Sequence, residues 1–251
     1  MFSFWQIKGE KKKLIVLVSA FVCMCLLVSV LLSALTTRAD DVFEEYYAAI
    51  AEGGIRTVII DAGHGGEDAG ATGVNGRYEK DLNLEVALTL GEYLERAGYV
   101  VVYTRTEDKL LYTEEQNVKG FRKINDLKNR VAIANSYPDA IFVSIHMNSF
   151  AKERYSGLQV YYSLANEGSA ALANSIQKTV RERLQPENNR SCKPGNDIYV
   201  MENTVGISVL VECGFLTNGA ECEKLSQKEY QKELSFAILC GIIEYTDKEK
   251  R

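Results

Sequence analysis

Two histidines, His64 and His146, are the only ones in the chain. Each directly follows a short apolar, β-branched run, the first in TVIIDAGHGG and the second in AIFVSIHMNS. Runs of this kind read as buried strands. If the two strands are parallel, both imidazoles emerge at one sheet edge, and neutral imidazole is the commonest metal ligand among side chains. The competing reading is a pair of unrelated structural histidines, and the flanking residues weigh against it. Gly63, Gly65 and Gly66 let the backbone turn sharply around His64. Neither G-x-x-x-x-G-K-[ST] nor G-x-G-x-x-G is present to make this a phosphate loop. Glu212 closes a further apolar run, residues 208–211. A carboxylate ending a buried strand is costly unless it has a partner, and a metal-held water at the same sheet edge is a good one. Two histidines, one carboxylate and an open position make a catalytic zinc centre of the metallopeptidase type, with a second carboxylate free to act as general base. Glu79, in YEKDLNLEVALTL, reads locally as an acid favoured at a helix N-terminus, worth ~0.3–1 kcal/mol through the dipole.

The elements that must hold these residues alternate along the chain. Strands are predicted over 57–61, 99–103, 140–145, 158–162, 197–201 and 208–211. A helix over 81–97 carries Leu82, Val86, Leu90 and Leu94 on one face and stops at Gly98. A second, over 126–135, sets Leu127, Val131 and Ala134 on one side, with Pro138 beyond its end. Leu172, Ile176, Val180 and Leu184 mark a third. The last opens at Ser226 with Glu229 three residues on as a capping box, and Leu225 and Tyr230 as the staple. This alternation predicts an α/β fold, a mostly parallel six-stranded sheet with helices on both faces, whose reactive groups sit where strands end in loops.

The composition is globular, with a net charge of −5 that disfavours a phosphate-gripping, nucleic-acid-binding protein. Residues 14–35 form an uncharged run of 22, preceded by Lys8, Lys11, Lys12 and Lys13. At ~1.5 Å per residue this just spans a ~30 Å hydrocarbon core. The exit, Ser33 to Thr37, is a poor cleavage site, so an uncleaved transmembrane helix is expected rather than a signal peptide. Lysines before the span and Asp40, Asp41, Glu44 and Glu45 after it place the N-terminus inside and the rest outside the cytoplasm. The expected organisation is a basic tail over 1–13, the anchor over 14–35, an acidic linker over 36–54 and one domain over 55–251. Cys192, Cys213, Cys222 and Cys240 lie in that domain, and the sequence does not decide whether any pair is bridged. Arg122, Lys123, Lys128 and Arg130 cluster around the second helix, either as a docking surface for carboxylates or, favoured here, as a solvated helix face.

Taken together, IIDAGHGGEDAGATG, EKDLNLEVA, VSIHMNS and LVECGFLTN, in that order and spacing, resemble the zinc-dependent N-acetylmuramoyl-L-alanine amidases. The likeness runs from about residue 57 to 245. NVKGFRKINDLKNRV and DIYVMENTV, with the short anchored layout, further resemble the germination-specific members that act on spore cortex. The resemblance implies one Zn2+ per chain held by His64, Glu79 and His146, with Glu212 as catalytic acid/base, which overrides the local reading of Glu79. It implies peptidoglycan as substrate, a cytoplasmic or forespore membrane as the anchoring surface, and leaves room for an activator protein. Met147 departs from the small residue more usual after the second histidine, which would narrow the cleft. The stretch 147–211, read as a strand, a helix and two strands, leaves no room for the inhibitory helix of some relatives. Two rival functions remain open on sequence: a cysteine-dependent wall peptidase built on Cys213 and a histidine, and a non-catalytic peptidoglycan-binding module.

Overall fold

The computed structural model describes residues 21, 24, 26–29 and 57–248. The chain divides into two units, Met1–Glu52 and Gly53–Arg251. The expected basic tail and linker lie outside the described residues, as does most of the expected anchor. Among the described residues no helix is long and apolar enough to cross a membrane.

The second unit is built on six strands: β1 (Thr57–Ala62), β2 (Val100–Tyr103), β3 (Ile141–Asn148), β4 (Gln159–Tyr162), β5 (Lys193–Pro194) and β6 (Ile207–Phe215). Their order is β2-β1-β3-β6-β4-β5. β2, β1, β3 and β6 run parallel, β4 runs antiparallel to β6, and β5 pairs parallel with β4. The sheet is therefore mixed, and its four-stranded parallel part carries the site. β1 and β6 are nearly continuous apolar runs because both of their faces are covered.

Six helices cover the sheet: α1 (Glu79–Arg96), α2 (Arg122–Asn135), α3 (Gly168–Arg183), α4 (Tyr199–Asn203), α5 (Gly219–Leu225) and α6 (Lys228–Lys248). α1 and α3 both pack on α6 and on the sheet. The fully buried Leu82, Val86, Leu90 and Leu94 of α1 form the expected stripe. On the other face, Ile59, Phe142 and Leu210 pack against Ala134 of α2 and Val200 and Met201 of α4, with Leu127 and Val131 alongside.

Three expectations are corrected. The predicted strand over 197–201 is instead the five-residue helix α4. Both edges of β6 are paired, by β3 and β4, and the outer side of β4 is taken by the two-residue β5; residues 197–201 instead cover the sheet face through Val200 and Met201. The capping box at Ser226 does not form. Ser226 ends the unforeseen α5, its hydroxyl donating to the Cys222 carbonyl at 2.8 Å and accepting from Asn75. Arg130 is not on a solvated face: it is 1% exposed, and the deepest stripe of α2 is Asp126, Arg130 and Ala134. The other members of that basic group are engaged or open, Arg122 with Glu67, Lys123 with Asp68, and Lys128 exposed.

Candidate metal centre

β1 and β3 are adjacent and parallel, with Ala62 opposite Ile145, so the two histidines that follow emerge side by side at the carboxyl ends of the strands. Their ring centroids lie 4.9 Å apart at 72°. Glu79, the first residue of α1, inserts its carboxylate between them. Glu79 Oε1 is 3.2 Å from His64 Nε2 and 2.9 Å from His146 Nδ1. The Met147 amide donates to the same oxygen at 3.2 Å and the Ala71 amide to Oε2 at 2.8 Å. Donor atoms of His64, Glu79 and His146 all lie within 4.8 Å of one another, close enough to hold one metal ion. Met147 is buried, its amide donates to Glu79, and it is not among the residues lining the cleft beside the histidines.

The electrostatics follow from this packing. Burial opposes charge on Glu79, but hydrogen bonds and attraction from the two histidines win and hold its carboxyl well below the usual carboxylate range. Burial likewise opposes a proton on His64, yet Asp68 and Glu79 outweigh it and raise the imidazole to about 9. Asp68 Oδ2 lies 2.8 Å from His64 Nδ1, which fixes the ring and leaves Nε2 to face Glu79.

His146 and Glu212 are register partners on adjacent parallel strands, so their side chains leave the same sheet face. Glu212 Oε2 is buried and has no hydrogen-bond partner. Burial pushes the Glu212 carboxyl up to about 7; His146 opposes that and Glu79 reinforces it. Cys213 points the other way by strand alternation and is fully buried. Burial first, then the Glu212 and Glu221 charges, drive its thiol well above the ordinary range. All four cysteines of this unit are free thiols.

The residues present fit a small dication. A two-histidine, one-glutamate set is that of catalytic zinc centres. The room for it depends on two glycines: a β-carbon at Gly63 would lie 2.1 Å from His146 Nε2, and one at Gly70 would lie 2.5 Å from Glu79 Oε2. The unpartnered Glu212 oxygen lies on the same sheet face as His146 of this cluster.

Arg105, which the sequence did not single out, and Arg130, expected on a solvated face, hold the turn after β1. His64 itself adopts φ 61°, a left-handed conformation that costs a side-chain-bearing residue roughly 1–2 kcal/mol. The carbonyls of Ala62, Gly63 and His64 are each held by a guanidinium. Arg130 donates to Ala62 at 2.8 Å and to His64 at 2.6 Å; Arg105 donates to Ala62 at 2.8 Å and to Gly63 at 2.9 Å. Arg130 is in turn paired with Asp61 and Asp126, and Asp61 accepts from Thr104 and Ser144. The one available signal was Asp61 at the end of an apolar strand, where a buried acid demands a cation. Nothing local pointed to Arg105 or Arg130. The histidine edge opens on a cleft of about 420 Å³ that also touches Lys123 and residues 197–200 at the start of α4.

Comparison with known proteins places the chain in a family. The family model described as N-acetylmuramoyl-L-alanine amidase (Amidase_3) matches residues 58–244. The germination-specific N-acetylmuramoyl-L-alanine amidase of Bacillus subtilis (strain 168) is 34% identical over 190 residues, 76% of this chain and 79% of that protein. LytC, an N-acetylmuramoyl-L-alanine amidase of the same organism, is 32% identical over 75% of this chain but 35% of its own length. The structure of the CwlD amidase from Clostridioides difficile, solved in complex with the GerS lipoprotein, matches with a TM-score of 0.74 at 39% identity, covering 77% of this chain and 99% of that one. The matched span contains His64, Glu79, His146 and Glu212, and the chain belongs to the N-acetylmuramoyl-L-alanine amidase family.

Proposed function

We propose that this chain is a zinc-dependent hydrolase of the amide bond between the lactyl group of muramic acid and the L-alanine of the peptidoglycan stem. The observation that supports this reading best is the three-donor cluster of His64, Glu79 and His146 beside Glu212, a buried carboxylate with an unpartnered oxygen on the same sheet face. His64, Glu79 and His146 would hold one zinc ion, which supplies Lewis acidity at the scissile carbonyl. Glu212 takes a proton from the attacking water as the oxygen bonds to the carbonyl carbon. It returns that proton to the L-alanine nitrogen as the C–N bond breaks. Both transfers are needed, because an amine departs readily only when protonated. Burial raises the Glu212 carboxyl above the ordinary carboxylate range in the metal-free chain, the direction that suits a group which both takes and returns a proton. Cys213, buried on the opposite face with a disfavoured thiolate, offers no competing nucleophile.

One relative is germination-specific by name, and one neighbour is solved with a lipoprotein. On that basis the proposed setting is spore cortex peptidoglycan, with an activator protein as partner. Residues 14–35 anchor the chain in the membrane, and residues 55–251 work outside it. The test is digestion of purified peptidoglycan by the full chain, with chelator and after zinc is restored. Products should be stem peptides beginning with a free L-alanine amine. About one zinc per chain should be bound, and His146→Ala should lose metal and activity together. Stoichiometric zinc retained by the double variant His64→Ala, His146→Ala would overturn the assignment.

A further inference from the structure

His146 on β3, Glu212 on β6 and Gln159 on β4 are successive register partners across three adjacent strands. Their side chains therefore form one row on one sheet face. Gln159 is buried, and both ends of its amide are engaged: Nε2 donates to the Ser191 carbonyl at 2.8 Å, and Oε1 accepts from Arg190 Nη2 at 2.5 Å. Arg190 thus extends the row past Glu212, on the side away from the histidines. Its guanidinium lies over the Phe215 ring, 4.8 Å from the centroid, so the fork is held in place by stacking. Arg190 Nε is buried without a hydrogen-bond partner, and among the described residues the guanidinium makes no ion pair. A second cavity of about 550 Å³ opens beside Arg190, lined also by Gln185, Asn188, Asn218, Lys224 and two acids, Glu187 and Glu221, the latter accepting from the Gly157 and Phe215 amides. His64, Glu79 and His146 do not line it.

We propose that Arg190 is a specificity-determining residue that binds a carboxylate of the departing peptide, and that the cavity beside it receives the rest of that peptide. This rests on the amidase reading above. Glu212 returns its proton to the leaving nitrogen, so the peptide half begins at Glu212. Neighbouring strands lie ~4.8 Å apart and an extended peptide advances ~3.3–3.6 Å per residue, so Arg190 is reached within about two residues of the scissile bond. Of the two halves of the substrate, the peptide is the one with free carboxylates, whereas N-acetylated sugars are neutral. A pre-stacked guanidinium with an unused N–H recognises a carboxylate better than a sugar hydroxyl. The amide-rich lining of the cavity suits the polar backbone that follows.

The experiment compares two N-acetylmuramoyl peptides that differ only at the second stem residue, a free carboxylate in one and a carboxamide in the other. The full chain should cleave the carboxylate compound with a KM on the order of 10-fold lower. Arg190→Gln should raise KM for that compound by the same factor with little change in kcat, and leave the carboxamide compound unaffected. Arg190→Lys should restore part of the preference. Turnover of the carboxamide compound shows in each variant that the fold and the catalytic centre are intact. The proposal is overturned if the wild type does not discriminate, or if Arg190→Gln impairs both compounds equally. A wild type that cleaves neither overturns the amidase reading, and the subsite falls with it.

Discussion

At the scale of single residues, the two glutamates of the site have opposite surroundings, which supports the separate roles proposed for them. Glu79 is held ionised by two histidines and two backbone amides, as a ligand should be. Glu212 is buried with a bare oxygen, as a proton carrier should be. Glu212→Gln is therefore expected to keep zinc and to lose about 10²–10⁴-fold in turnover. Glu79→Gln should lose zinc, since a neutral amide is a poor replacement for an anionic ligand. Metal analysis and amine release on both variants read the two roles separately, and zinc lost from Glu212→Gln but kept by Glu79→Gln would exchange them. The histidines give a pH signature to the chelated chain. His64 holds its proton more tightly folded, at about 9, than unfolded, at 6.5. Its contribution to stability is complete below pH 6.5 and lost as pH rises through about 9. The depressed Glu79 and Asp68 are the same ion pairs seen from the acid side, and fail only in strong acid. Melting temperatures of the chelated chain should fall between pH 6.5 and 9.5. Zinc, which displaces the proton, should flatten that slope and bind more tightly as pH rises. A chelated chain that gains stability over this range would contradict the geometry.

At the scale of elements, the turn between β1 and α1 is held by α2, through Arg130. That arginine neutralises two buried acids and fixes the carbonyls on either side of Gly63. Arg130→Met keeps bulk but leaves Asp61 and Asp126 uncompensated. The expected cost is about 3–5 kcal/mol, together with weaker zinc binding as His64 loses its backbone anchor. Urea denaturation midpoints measure the first and competition with a chelating dye the second. A loss under about 1 kcal/mol would mean that the two acids are satisfied elsewhere. The element-level errors of sequence reading share a cause. Helix α2 shows an apolar stripe at the right spacing, and periodicity alone assigned its cations to solvent. Only the sheet, which brings Asp61 beneath it, shows that Arg130 points inward. Residues 197–201 have strand-like chemistry, but Val200 and Met201, neighbours in sequence, are both buried in the cluster on one sheet face, which helix α4 permits and strand alternation does not.

At the scale of the whole molecule, the expected anchor and the folded unit can be separated experimentally. Residues 14–35 carry no charge and follow four lysines, whereas the sheet domain closes its own core. Deleting residues 1–53 should move the protein and its activity from the membrane fraction to the soluble one, with kcat on soluble muropeptides unchanged. Protease added outside intact cells should degrade the full chain's domain. Persistent membrane association of the deleted chain would show that another surface does the tethering.

The sequence by itself determined the alternation of strands and helices, the two histidines at strand ends and the buried carboxylate at Glu212. These depend on local quantities: apolar run length, periodicity and the cost of burying charge. The order of motifs then gave Glu79 its proposed role as a ligand, where its neighbours in sequence had read as those of a helix-terminal acid. Tertiary structure alone decided what those residues touch. The pairing of His146 with Glu212 and of Glu212 with Gln159 is a matter of strand order, and strand order is set by how the helices pack and where edges remain. Arg105, Arg130 and Arg190 act on residues far away in the chain, and no local pattern records such a partner. A charge in sequence has only a sign; the fold gives it a direction.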